Sequence, residues 1–261
     1  MKPEDVTFFQ ELIGILRWAI EIGRVDILTE ISMLSPFQAS PREGHLKALL
    51  QIFAFIKNKP KLSLYFDPRL PNIDYTPFKT NHQDFKEYYR DAKDEDPPRR
   101  PRPRGRSVCT TGFVDASHGA NIITRRSHTG YIIFINRAPI LWFSKRQNTV
   151  ETSAFSSEMI AMKTCMEAIQ ALRYKLKMFG VPLMGPTEVF CDNNSLVLNT
   201  SNVESKLNRK HNSLAFHAIR WSVAAEMKNV AWFSGKENIS DAMTKILSKE
   251  GKEYLFGNWT Y

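Results

Sequence analysis

The sequence predicts an α/β protein built on a mixed five-stranded sheet flanked by helices, with a small helical module in front of it. Three observations carry that expectation. Apolar residues recur at helical spacing before residue 91 and at strand spacing after residue 107. Between them, Asp-Ala-Lys-Asp-Glu-Asp-Pro-Pro-Arg-Arg-Pro-Arg-Pro-Arg-Gly-Arg-Ser at 91–107 cannot supply a core, because proline removes donors and the charges need water. After it, the elements read in the order βββαβααβα.

The helical module shows apolar periodicity from Phe8 to Ile22, from Ile27 to Phe37 and from Leu46 to Ile56, the last after Pro41. Strand patterns then cover Val108 to Ala116, Thr129 to Asn136 and Pro139 to Ser144, with Asn136 and Arg137 able to close a hairpin. A long helix runs from about Ser153 to Phe179, bounded by Gly180 and Pro182. A strand Glu188 to Asp192, helices near Ser195–Asn199 and His211–Met227, a strand Asn229 to Phe233 and a helix near Ile239–Leu247 complete the chain. Right-handed crossovers would set strand 188–192 parallel to strand 108–116 and add strand 229–233 beyond it. A site is then expected beyond the carboxyl ends of the parallel strands. The expected division is a helical module at 1–90, a linker at 91–107 and a sheet domain at 108–261.

With 261 residues, 43% hydrophobic and 24% charged, the chain can bury a substantial core. No run reaches the ~18 apolar residues of a membrane span, and charges interrupt the first thirty residues, so neither a span nor a signal peptide is expected. Cys109, Cys165 and Cys191 are far apart and offer neither a disulfide framework nor a zinc pattern, which fits a reducing compartment. The formal charge of +9 favours a polyanionic partner. Residues 1–107 hold 18 basic and 15 acidic side chains, against 18 and 12 in 108–261, so the sheet domain carries most of the excess. The 91–107 stretch reads as a solvated spacer, with a basic arm touching phosphates as the alternative.

Four carboxylates stand out. Asp115 and Asp192 end the apolar runs of two strands expected to be adjacent and parallel, which would place both at one sheet edge. Like charges so close disfavour ionisation of both unless a cation sits between them. Glu158 begins the stripe Met162, Cys165, Ile169, Leu172 and Leu176 of the long helix, on the face that packs on the sheet. Asp241 follows Asn238 by three residues in the first turn of the last helix. Taken singly, each has a structural explanation as a strand end, a turn cap or a first-turn acid. Trp142 and Trp232, in strands, read as core residues rather than base-stacking platforms.

The series Val-Asp-Ala-Ser at 114–117, Arg-Arg-Ser-His-Thr-Gly-Tyr at 125–131, Ala-Pro-Ile-Leu-Trp-Phe-Ser-Lys-Arg-Gln at 138–147 and Ser-Glu-Met-Ile-Ala-Met at 157–162 resembles copia-type retrotransposon ribonuclease H. So do Phe190-Cys191-Asp192-Asn193, Lys210-His211-Asn212 and Ser240-Asp241-Ala242-Met243-Thr244-Lys245-Ile246-Leu247, with Ser240 where the family usually has alanine. In the helical module, Gln10–Leu16, Arg24-Val25-Asp26-Ile27 and His45-Leu46-Lys47-Ala48 resemble the end of a copia-type reverse transcriptase, with Val25 in place of proline.

The resemblance implies an RNase H-like fold and metal-dependent cleavage of RNA in RNA–DNA hybrids. Asp115, Glu158, Asp192 and Asp241 would be the catalytic residues and hold two Mg²⁺ roughly 3.5 to 4 Å apart, with Mn²⁺ as a substitute. Arg125, Arg126, Lys145, Arg146, Arg209 and Lys210 are the expected phosphate contacts. The resemblance also implies the upstream polymerase portion as a second partner, and a cytoplasmic particle or the nucleus as the location. No adjacent Asp-Asp pair occurs, so polymerase activity is not expected. The loop Phe233–Asn238 lacks the histidine many related nucleases carry there, and His211 reads as a helix-end or surface residue rather than its replacement. A remnant that only binds hybrid or duplex is the rival reading.

Overall fold

The computed structural model describes residues 2–78, 80, 82–207 and 210–257. Helix α1, Pro3–Glu21, starts on a proline whose missing N–H costs nothing at that position, with Glu4 and Asp5 against the positive end of the helix. Its residues Phe9, Ile13, Leu16 and Ile20 recur at steps of four and three and are buried. Gly23, at φ 119°, turns the chain in a conformation that side chains other than glycine rarely adopt. Helices α2 (Leu28–Leu34) and α3 (Glu43–Asn58) close a small core around Ile27, Ile31, Leu49 and Ile52. A further helix, α4 (His82–Tyr88), carries no apolar periodicity because it buries only Phe85, against Val223 and Ala224.

The sheet contains β1 (Thr110–Ser117), β2 (His128–Ile135), β3 (Ala138–Arg146), β4 (Thr187–Cys191) and β5 (Lys228–Trp232) in the order β3-β2-β1-β4-β5. β1 pairs antiparallel with β2 and parallel with β4, and β4 pairs parallel with β5, so the expected mixed sheet is present. Helix α5 (Ala154–Met178) begins where the Ser153 hydroxyl accepts from the Ser156 N–H. Its stripe packs on Val114, Ala116, Val189 and Val230 together with Phe216 and Ile219 of α7 (Ser213–Ala224). Between β4 and α7 lies α6, Asn194–Ser201.

Alternation along β1 sends Phe113 and Asp115 to the other face. There Phe113 stacks on Phe190 with ring centroids 5.1 Å apart, and Phe233 lies across both. The helical module covers the rest of that face: Val25 packs with Ile132, Phe134, Ala242 and Met243, and Trp142 joins this cluster to the α1–α3 core.

Two expectations are corrected. The last helix, expected near 239–247, is a single turn, α8 (Asp241–Thr244), followed by extended Lys245 and a separate α9 (Lys249–Phe256). Ser248 starts α9 by accepting from the Gly251 N–H, a cap that the continuous apolar pattern concealed. The 91–107 stretch is also not a solvated spacer throughout. Asp94 pairs with Arg173 at 2.8 Å and Lys177 at 2.9 Å on α5, and the Arg104 N–H donates to the Gly180 carbonyl at 2.9 Å. A charge-based reading sees the acids as needing water, whereas two buried cations of α5 need them.

The pinning sets the expected result of limited proteolysis. Trypsin should nick first after Arg99, Arg104 or Arg106, which are exposed and not followed by proline. The two fragments should nevertheless coelute on size exclusion, because the module and sheet share buried apolar surface. Fragments that separate without denaturant would contradict this packing.

Candidate metal centre and nucleic-acid surface

Each carboxylate arrives on a different element. Asp115 is the sixth residue of β1, and Asp192 directly follows β4, so parallel pairing of these strands brings both to one edge. Glu158 enters from the second turn of α5, and Asp241 opens α8. One carboxylate oxygen from each of Asp115, Asp192 and Asp241 can be chosen so that all lie within 4.8 Å of one another. The same holds for ligand atoms of Glu158, Cys191 and Asp192. The four predicted site residues therefore converge.

The approach of α8 depends on glycine. Gly130 of β2 lies opposite Asp115, and a Cβ there would stand 2.6 Å from Met243 Cβ and 2.9 Å from the Met243 backbone. Thr244 then donates its hydroxyl to Asp115 Oδ2. Gly235 performs the same service for Asp192, whose Oδ2 would be 2.9 Å from a Cβ at that position. Buried Asn238 donates to the Val114 carbonyl at 3.3 Å and accepts from the Ser240 hydroxyl at 2.6 Å, tying the α8 approach to β1. Gln147 donates to Thr129 and to the Ser157 carbonyl, locking the end of β3 to the turn that carries Glu158.

The electrostatics of the cluster are unfavourable without a cation. Burial pushes Asp115 up to about 6, opposed by Lys245 and the Thr244 hydroxyl and reinforced by Asp241 and Asp192. Glu158 is raised well above the usual carboxylate range by burial and then by Asp115 and Asp192. Asp192 is raised by burial and Asp241. Glu158 Oε2 is buried and has no hydrogen-bond partner. Lys245 supplies one positive charge, 2.6 Å from Asp241 and 3.7 Å from Asp115. Its own burial favours the neutral amine, but Asp115 and Asp241 outweigh that and hold it charged. An orphaned buried oxygen among hard oxygen donors suits a magnesium-sized divalent ion.

Sequence reasoning missed several supporting groups. His118, just past β1, comes within 3.3 Å of the Ser157 hydroxyl beside Glu158. Its position after Asp115 was visible, but nothing local signalled the contact. Trp232 is corrected: it is 49% exposed rather than core, and its indole N–H donates to the Asp192 carbonyl at 3.0 Å. It ends the edge strand β5, which is paired on one side only. His211 is exposed, as expected, with Nε2 3.7 Å from Glu151.

The predicted phosphate contacts form no single row. Lys145 is exposed on β3, and with Arg146, Lys163 and His211 it lines a groove of about 390 Å³ between β3 and helices α5 and α7. Arg126 and Arg146 share a second groove with Ile122, Ile123 and Phe37. Arg125 and Lys210 are exposed, and Arg209 lies outside the described residues. Among the described residues, no helix is long and apolar enough to cross a membrane.

A mixed sheet of this order with helices on both faces and acidic groups at the carboxyl ends of its central strands defines an RNase H-like α/β domain. The chain is similar, over nearly its whole length, to retrovirus-related Pol polyproteins of transposons. Those from transposons RE1 and RE2 of Arabidopsis thaliana are 24% and 21% identical over 248 residues, 95% of this chain. That from transposon TNT 1-94 of Nicotiana tabacum is 23% identical over 241 residues, 92% of the chain. The chain spans only 14%, 14% and 15% of the length of these relatives. No protein-family model matches it. Similar solved structures include the N-terminal RNase H domain of a Mycobacterium tuberculosis protein, with a TM-score of 0.41 and 10% identity, covering 58% of this chain and 96% of that one. LC11-RNase H1 in complex with RNA/DNA hybrid gives a TM-score of 0.42 and 16% identity, covering 52% and 93%.

The sign of the Asp115 shift gives a stability test. A carboxylate raised above its unfolded value of ~3.9 holds its proton more tightly when folded, so ionising it costs stability as pH rises through about 6. In EDTA at pH 8, Asp115→Asn should melt at or above the wild-type temperature, and the difference should vanish below pH ~4. Added Mg²⁺ should raise the wild-type melting temperature and move the variant little. A variant less stable than wild type at pH 8 in EDTA would contradict the proposed repulsion.

Proposed function

We propose that this chain is a ribonuclease H, hydrolysing the RNA strand of RNA–DNA hybrids with divalent metal held by Asp115, Glu158, Asp192 and Asp241. The observation that carries it is the convergence of four carboxylates from four elements, with one buried Glu158 oxygen left unpaired. Bound there, two Mg²⁺ or Mn²⁺ ions would activate an attacking water and stabilise the leaving 3′ oxygen, leaving a 5′-phosphate and a 3′-hydroxyl.

The chain's own residues do the positioning. Thr244 orients Asp115, Trp232 holds the Asp192 backbone, and Asn238 and Gly130 fix the approach of Asp241. Lys245 neutralises part of the cluster while no substrate is present and offers a donor to a phosphate oxygen when one arrives. Arg125, Arg126, Lys145, Arg146, Arg209 and Lys210 would grip the sugar-phosphate backbones. Discrimination of the RNA strand falls to its 2′-hydroxyls in a wide, shallow minor groove, so sequence selectivity should be low. On this reading residues 1–90 are the end of a copia-type reverse transcriptase, 91–107 the connection and 108–261 the nuclease, and the upstream polymerase portion is a second partner.

One observation favours the rival reading of a module that binds hybrid without cutting it: Lys245 already pairs with Asp241. A cleavage assay on labelled hybrid separates the two. Cleavage should require Mg²⁺ or Mn²⁺ and stop in EDTA, while Ca²⁺ should bind without supporting turnover. Folded Asp192→Asn should cleave at least ~100-fold more slowly, about 2.7 kcal/mol in the barrier, with hybrid affinity changed much less. Undiminished cleavage in chelator, or wild-type rates from this variant, would sink the metal-site reading.

Gly130→Ala provides an independent check. The added methyl meets backbone, so α8 must shift, costing about 1 to 3 kcal/mol of stability. Mg²⁺ affinity and cleavage should fall in the fraction that remains folded. Retention of both would show that Asp241 needs no such close approach.

A further inference from the structure

The anchored stretch between the module and the sheet has a charge distribution that the nuclease reading does not use. Asp94 and Asp96 are turned onto Arg173 and Lys177 of α5, and the Lys177 ammonium also donates to the Asp94 and Glu95 carbonyls. The acids of the stretch thus satisfy two buried cations. The five arginines that follow, Arg99, Arg100, Arg102, Arg104 and Arg106, are all exposed. Among the described residues only Arg100 has an ion pair, with Asp96 at 2.8 Å.

This row is held rather than loose. Pro97, Pro98, Pro101 and Pro103 restrict the backbone, and hydrogen bonds from Arg104 N–H to the Gly180 carbonyl and from Val108 N–H to the Pro182 carbonyl pin it. Gly180, at φ 69°, lets Pro101 and Arg102 lie against it: a Cβ there would be 3.2 Å from the Arg102 carbonyl oxygen. Beside that contact Phe179 is 79% exposed, and Met178 is 54% exposed. An arginine row of which, among the described residues, only Arg100 has an acidic partner, next to an open aromatic ring, combines the two features that hold single-stranded nucleic acid, backbone charge and base stacking.

We propose that Arg99–Arg106 and Phe179 form a second nucleic-acid surface, which takes single-stranded nucleic acid through its phosphates and one stacked base. It lies at the far end of α5 from Glu158, roughly 30 Å away at 1.5 Å per residue. An acidic polypeptide would also answer the charge, but would leave the exposed ring without a role. The inference extends the hybrid-cleaving reading, since a strand emerging from the hybrid could reach this surface, yet it is tested without cleavage.

Binding of fluorescein-labelled (dT)20 is measured by anisotropy in EDTA across a salt series, for the full chain and for a variant with all five arginines changed to Gln. Loss of three or more phosphate contacts should flatten the log–log salt slope by about 2 or more, at ~0.7 per contact for single strands. Affinity at 100 mM salt should fall at least ~10-fold. The corresponding five Arg→Lys variant should keep most of the slope, and Phe179→Ala should weaken (dT)20 about 5-fold or more without changing the slope. Melting curves check that each variant is folded. Cleavage of an 8-base-pair hybrid, too short to span both surfaces, should be unaffected by the Gln substitutions.

An unchanged salt slope in the Gln variant would overturn the proposal. So would polyglutamate displacing (dT)20 as effectively as unlabelled (dT)20 does, because the surface would then be reading charge alone. Failure of the nuclease reading shows instead as absence of hybrid cleavage with the (dT)20 differences intact.

Discussion

Mutual repulsion among carboxylates at one edge of the sheet is the constraint around which the structure is arranged. Asp115, Glu158 and Asp192 are all raised first by burial and then by neighbouring carboxylates of the cluster, Asp241 among them, and neighbouring strands, turns and helices hold them together despite it. The restraints are mostly small: a threonine hydroxyl, an asparagine amide, an indole N–H and two glycines that let backbones approach. None is charged. The scaffold limits where the acids can go while leaving their charge for something else to balance, and Lys245 balances part of it.

The helical module is structurally continuous with this arrangement. Helix α2 lies against β3, where the Ser32 hydroxyl donates to the Ser144 carbonyl at 2.7 Å. Ser32 and the Ser144 side chain also meet His128 Nε2, which burial pushes down to about 4, so the ring stays neutral there at physiological pH. The Thr29 hydroxyl reaches the Ala242 carbonyl, one residue beyond Asp241. The module therefore touches the turn that carries a candidate ligand.

Much of this was legible in the sequence, because the signals were local or periodic. The β1–β3 hairpins, the α5 stripe and parallel β4 follow from side-chain alternation and one crossover rule. Asp115 and Asp192 followed from strand ends and Glu158 from that same stripe, whereas Asp241, in the first turn of a helix, joined them only through the resemblance. What was hidden depended on distant partners. Nothing near Asp94 shows that Arg173, 79 residues away, needs it, and nothing near Trp232 shows that its strand lies at the edge of the sheet. The split between α8 and α9 was masked because apolar residues continue through Ile246 and Leu247, although Ser248 is a good capping residue.

The two ends of the chain are also stitched together, by Lys252 to Glu30 at 2.6 Å and Lys59 to Glu253 at 2.9 Å, in addition to Thr29 on Ala242. The latter two residues are 213 positions apart. A ribosome adding about 5 to 20 residues per second would therefore place Thr29 roughly ten to forty seconds before its covering turn exists. During that interval Ile27 and Ile31 already have the module's own core to pack on, but Val25 lacks Ala242 and Met243, and contacts of such long range form slowly. A ribosome stalled before residue 241 would leave the α1–α3 core formed but Val25 without part of the cluster that buries it.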